Sequence, residues 1–130
     1  MLEFLPLVAL LAPWITFAIL RSISKRHLAT VIGFSLSVFI VYAAMVSYAH
    51  QLDVKFEHEL AAYDLNKDGS FDESEMTPLQ IQAMDNWAND TGRALAPYTS
   101  ILVSLSYTAF ALISWFAASW AISKFNPNRI

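Results

Sequence analysis

Residues 28–48 read LATVIGFSLSVFIVYAAMVSY, twenty-one positions without a charge. About 20 apolar residues on a helix cross a hydrocarbon layer roughly 30 Å thick, so this stretch has the length and composition of a membrane span. Two similar runs flank it. Tyr98 to Ser123 holds twenty-six uncharged residues, and Phe4 to Leu20 holds seventeen. The last is short and carries Pro6 and Pro13. Pro6 is tolerable in a first turn, whereas Pro13 removes an interior backbone donor and is expected to kink the helix. A signal peptide would place its bases ahead of its apolar stretch. Here Glu3 comes first, and Arg21, Lys25 and Arg26 follow the run. The first run is therefore expected to remain as a span, and the fold to be an all-α membrane protein with three transmembrane helices.

Composition points the same way. The 130 residues are 56% hydrophobic and 15% charged, where soluble domains average about 45–50% and about 25%. Ten of the eleven acids lie between Asp53 and Asp90, so the net charge of −3 belongs to one segment. With no basic stripe for phosphates, a nucleic-acid partner is not expected. The absence of cysteine excludes a disulfide framework, a thiolate nucleophile and a c-type haem attachment.

Lys and Arg near span ends set orientation. Arg21, Lys25 and Arg26 in the first connection and Lys124 and Arg129 at the C-terminus fall on one side of a three-span chain. The long connection has only Lys55, Lys67 and Arg93. The expectation is a short basic loop and a basic tail inside, with the acidic connection outside. Tyr48 and Tyr98 would then mark the outer interface and Trp120 the inner one. The chain divides into residues 1–49 (two spans and a basic cytoplasmic loop), 50–97 (an extracytoplasmic domain) and 98–130 (the third span and a basic cytoplasmic tail). The expected location is a plasma or bacterial inner membrane.

Within the acidic connection stands Asp64-Leu65-Asn66-Lys67-Asp68-Gly69-Ser70-Phe71-Asp72-Glu73-Ser74-Glu75. It meets the twelve-residue pattern D-x-[DN]-x-[DN]-G-x5-E at every constrained position. Calcium is a hard ion that takes six to eight oxygens at about 2.3–2.6 Å. Asp64, Asn66 and Asp68 would supply side-chain oxygens, Ser70 its backbone carbonyl, Asp72 a direct or water-mediated contact, and Glu75 both carboxylate oxygens. Gly69 would permit the turn that wraps the loop around the ion. Phe56, Leu60 and Tyr63 recur at helical spacing ahead of the loop. After it, Thr77-Pro78-Leu79-Gln80 reads as a helix start, with Thr77 the N-cap, Pro78 the first helical residue and Gln80 the capping-box partner. That helix would end near Asn89 and bury a stripe of Leu79, Ala83, Met84 and Trp87.

The segment from Phe56 to about Met84 resembles the EF-hand family, over under a quarter of the chain. The resemblance implies a Ca2+-binding helix–loop–helix, usually paired with a second such unit. The broken exit helix departs from the family's pattern, and the chain holds no second loop. Phe71, at the eighth loop position, would then pair with another copy or another protein. An outward-facing loop would meet abundant calcium in many settings, which leaves two roles open, a structural staple and a responsive sensor.

Neither Gly nor Pro occurs between Gly33 and Gly69. One helix is thus expected from Leu28 to Tyr63, about 54 Å at 1.5 Å per residue. Asn89-Asp90-Thr91-Gly92 is a turn signal, and Pro97 precedes the third run. His27, His50 and His58 are expected in solvent or at the interface. No Ser-His-Asp set, metalloprotease motif or phosphate-binding loop is present, so no catalytic role is expected. Ser100, Ser104 and Thr108 recur every four residues, as do Ser114 and Ala118, and Gly33 and Ser37. Such spacing lets helices approach closely. The leading expectation is a non-enzymatic Ca2+-binding subunit of a membrane assembly, touching lipid and either foreign subunits or copies of itself through these small-residue faces. The alternative is a homo-oligomeric ion channel gated by extracytoplasmic calcium and lined by the hydroxyls.

Overall fold

A computed structural model describes residues 4–23 and 26–125. Glu3, Lys25 and Arg129, which entered the charge pattern, lie outside the described residues. The elements are α1 (Leu5–Ile23), α2 (Arg26–Ala61), α3 (Pro78–Asn89), α4 (Thr91–Ala94) and α5 (Ala96–Phe125). No strand occurs among the described residues. Two helices, α2 and α5, are long and apolar enough to cross a membrane, while α1 contributes a shorter apolar stretch, Leu7–Ser22.

The chain forms two compact units. The first comprises Met1–Met45 and Tyr98–Ile130, and its interior inverts the usual order. Ser37, Ser104, Thr108 and Ala111 are fully enclosed, and Ala12, Thr16 and Ala29 nearly so. Leu36, Phe39, Leu102, Phe110 and Ile113 face outward. Small side chains at the centre let backbones come close. At Gly33, an added Cβ would stand 2.9 Å from Phe17 Cδ1, nearer than two carbons can sit.

α1 is tied into this unit by specific contacts. Thr16 Oγ1 and Ser37 Oγ stand 2.5 Å apart and share a hydrogen bond. Each also has a carbonyl of its own helix in reach, Ala12 at 2.9 Å and Gly33 at 2.6 Å. Tyr107 donates its hydroxyl to the Leu10 carbonyl, in the turn that Pro13 interrupts. Phe17 meets Trp115 at a centroid distance of 6.3 Å.

The second unit is Val46–Pro97. In it α2 ends at Ala61, two residues before the expected Tyr63. Ala62 and Tyr63 donate to the carbonyls of Glu59 and Leu60, three residues back, and this tightened turn stops the helix. Phe56, Leu60 and Tyr63 are half-buried on one face, as their spacing predicts. Thr77 caps α3, accepting the Gln80 N–H at 3.2 Å, with Pro78 at the first position. The reciprocal half of the capping box is not made. Gln80 instead turns inward, fully buried, with Nε2 2.8 Å from Met84 Sδ. The Thr77 N–H goes to the Glu75 carbonyl at 2.8 Å. The expected apolar stripe is likewise displaced. Gln80 holds its centre, while Leu79, Met84 and Trp87 stay exposed.

Candidate metal centre

The loop Asp64–Glu75 is shaped by its own carboxylates. Asp64 accepts the N–H of Asp68 through Oδ1 at 3.2 Å and of Gly69 through Oδ2 at 3.0 Å. Asn66 Oδ1 accepts the Asp68 N–H at 2.9 Å, and Asn66 Nδ2 donates to Asp68 Oδ2 at 3.0 Å. Asp68 Oδ1 takes both the N–H and the hydroxyl of Ser70, at 2.8 and 2.6 Å. Asp72 does the same with Ser74. The hydroxyl of Ser70, then its N–H, hold the Asp68 carboxyl below the ordinary carboxylate range, and Ser74 acts likewise on Asp72.

Two residues have left-handed backbones, Lys67 at φ 60° and Gly69 at φ 80°. Nothing stands within 4 Å of a Cβ built on Gly69. Backbone conformation, not space, is therefore what asks for glycine there. Lys67 adopts the same region with a side chain that disfavours it by about 1–2 kcal/mol.

Glu75 differs from the other acids. It is 3% exposed. Its Oε1 accepts the N–H groups of Leu65 and Asn66 at 2.8 and 3.1 Å, closing the loop's end onto its start. Its Oε2 is buried with no hydrogen-bond partner among the described residues. A buried carboxylate oxygen without a donor is costly, and a cation is one partner that relieves it.

The residue types and their order fit a calcium site. All six expected ligands are oxygen donors, brought onto one twelve-residue loop by the Asp64–Gly69 and Glu75–Leu65 closures. The coordination shell itself is not assembled. Among the described residues, no three side chains of His, Cys, Asp or Glu converge closely enough to hold an ion between them. Asp68, Asp72 and Glu75 are turned to N–H donors, which relieve their mutual repulsion. An ion bound to both Glu75 oxygens would share Oε1 with the N–H groups of Leu65 and Asn66, and one bound to Asp72 Oδ1 would share it with Ser74. No known protein family, curated protein or solved structure matches the chain in comparison.

One residue that sequence reasoning missed organises the rest of this unit. Arg93 entered the sequence reading only as a charge. Its Nη1 donates to Asp53 Oδ1 at 2.5 Å and its Nη2 to the Trp87 carbonyl at 2.9 Å. Its guanidinium lies 5.3 Å from the Phe56 ring centre and 5.5 Å from that of Trp87. It thus ties α2 to the end of α3. The available signal was an arginine among aromatics at the far end of the acidic segment; the partners lie forty residues apart. The histidines fall as expected, with His27, His50 and His58 all exposed.

The small-residue faces are enclosed only in part, with Ser114 half-buried and Ala118 exposed. Ser37, Ser100, Ser104 and Thr108 are enclosed within the chain. These four pack inside one copy. Ser100 Oγ and Thr108 Oγ1 are buried without partners among the described residues.

Proposed function

We propose that this chain is a calcium-binding integral membrane protein, a non-enzymatic subunit that stabilises or regulates a membrane assembly. The observation that carries the reading is Glu75, the last ligand of the loop, buried and folded back across it with one oxygen unpartnered. The loop is already held in shape by its own N–H donors, so a bound ion has less to order and more to rearrange. That favours a regulatory role over a staple.

Membrane residence is supported by the inverted first unit. Large apolar side chains on its outside, with serine, threonine and alanine within, suit a surrounding of lipid and would leave an unusually large apolar surface in water. A three-span reading is supported by the way α1 is bonded to α2 through Thr16 and Ser37 and to α5 through Tyr107. α1 has 19 residues, about 28 Å of helix at 1.5 Å per residue, just long enough to cross. The charge pattern supports an extracytoplasmic position for the loop. Contacts with other subunits would use the outer apolar faces. The channel alternative has less support, because Ser100, Ser104 and Thr108, three of the hydroxyls that would line a pore, are enclosed.

Calorimetry on the full chain in mild detergent tests the reading. The expected result is a saturable calcium isotherm, with magnesium and Glu75→Gln each at least about tenfold weaker. No saturable calcium site in the wild type, or an isotherm unchanged in Glu75→Gln, overturns it.

A further inference from the structure

The second unit contains a cleft of about 460 Å³. Its lining is of two kinds. Val46, Ala49 and Pro97 make one part apolar, and His50, Asp53 and Arg93 make the other polar. Val46, Ala49, His50 and Asp53 follow the spacing i, i+3, i+4, i+7, so α2 presents them on one face.

Arg93 is committed elsewhere. Its side chain is only 9% exposed and is engaged by Asp53, Trp87 and Phe56. Its role at the cleft is to hold Asp53 in place. The Asp53 side chain remains 45% exposed, and its Oδ2 takes no hydrogen bond among the described residues. His50 is exposed, one turn earlier on the same face. A ligand therefore meets one carboxylate oxygen and one imidazole, side by side, against an apolar wall. The complement is a molecule with a cationic N–H donor and an anionic acceptor a few bonds apart, joined to an apolar body.

We propose that this cleft binds the headgroup of an ethanolamine-type phospholipid. The ammonium group would donate to Asp53, a phosphate oxygen would accept an N–H from His50, and the glycerol portion would lie along Val46, Ala49 and Pro97. The position of the lining in the chain argues for a lipid. The charge-free run of α2 ends at Tyr48, and that of α5 begins at Tyr98. Val46 lies inside the first run, His50 and Asp53 lie just past it, and Pro97 immediately precedes the second. Residues at the ends of spans sit at headgroup depth. Choline headgroups carry no N–H for Asp53, and glycerol headgroups carry no cation.

The inference rests on membrane residence, and the test separates the two. The full chain in mild detergent is offered equal amounts of phosphatidylethanolamine, phosphatidylcholine and phosphatidylglycerol with identical acyl chains, and retained lipid is measured by native mass spectrometry. The expected result is about a tenfold preference for the ethanolamine lipid over each of the others, the scale of one charge-assisted hydrogen bond. The preference should vanish in Asp53→Asn, which keeps an oxygen for Arg93 but loses the charge that the ammonium needs, and retention of all three lipids should fall in His50→Ala, which removes the phosphate contact they share, and in Ala49→Leu, which fills the cleft. Soluble phosphoethanolamine should fail to displace the lipid at equal concentration. Equal retention of the three lipids, a preference for the glycerol lipid, a preference that survives Asp53→Asn, undiminished retention in His50→Ala, or displacement by soluble phosphoethanolamine overturns the headgroup site alone. A chain that stays in water without detergent and retains no lipid overturns membrane residence as well.

Discussion

The two units of this chain solve the problem of cohesion in opposite ways. In the first, helices close on one another through what is small: Gly33 against Phe17, Thr16 against Ser37, and a row of Ser104, Thr108 and Ala111 with no exposed surface. Its large side chains point outward. In the second, little apolar surface is buried, and order comes from charge. Arg93 ties α2 to α3, and five loop side chains hold their own backbone. On the proposed membrane reading, the difference follows from the solvent each is suited to. In lipid there is no hydrophobic gain from burying leucine, so close packing and rare hydrogen bonds decide. In water a short acidic segment must use ionic contacts that salt and ions can compete for.

The largest expected effect breaks the second unit and spares the first. Arg93→Ala removes an ion pair, a carbonyl contact and two ring contacts. A loss of about 2–3 kcal/mol is expected, discounted because Asp53 is half in solvent. Hydrogen exchange should show lost protection across 50–97 and none in α5. Loss of protection in α5 as well would mean that the two units do not stand alone.

Gly33→Leu is the reciprocal test. Its Cβ has no room beside Phe17, and overpacking of this kind costs about 1–3 kcal/mol. The thermal midpoint in detergent should fall while the calcium isotherm is unchanged. A weakened isotherm would join the units energetically.

Within the loop, Gly69→Ala should cost about 1–2 kcal/mol by forcing a side chain into the left-handed region. Lys67→Gly should stabilise by up to about 1 kcal/mol, because φ 60° no longer opposes a side chain. Chemical denaturation followed by Trp87 fluorescence reads both. Equal effects at the two positions would show that space, not backbone, governs the loop.

The smallest effect is that of pH. Asp68 and Asp72 have carboxyls held below the ordinary range by Ser70 and Ser74. Their hydrogen bonds contribute stability that is complete above the unfolded carboxylate range and lost as pH falls through the lowered folded values. Calcium affinity should therefore change less than about twofold between about pH 6 and about pH 8. A steep fall in that window would show that groups other than the loop carboxylates govern binding.

Much of this protein is determined by its sequence alone. Charge-free runs predict α2 and α5, because helix length and side-chain polarity are local quantities. Thr77-Pro78 places the start of α3 and Asn89-Asp90 its end, because capping is settled within four residues. The pattern from Asp64 to Glu75 names the candidate ligands, and Gly69 carries the turn that local sterics demand. Other features were decided only in three dimensions. That Gln80 turns to Met84 and not to Thr77 depends on what covers α3. That Ser100, Ser104 and Thr108 are enclosed within one copy depends on the approach of three helices, and helical spacing says only that they share a face. Arg93 finds Asp53 across forty residues, and Glu75 finds the N–H groups of Leu65 and Asn66 across ten and nine. The residue types state what each group can bind. Which partner it meets is set by chain closure, which no local pattern encodes.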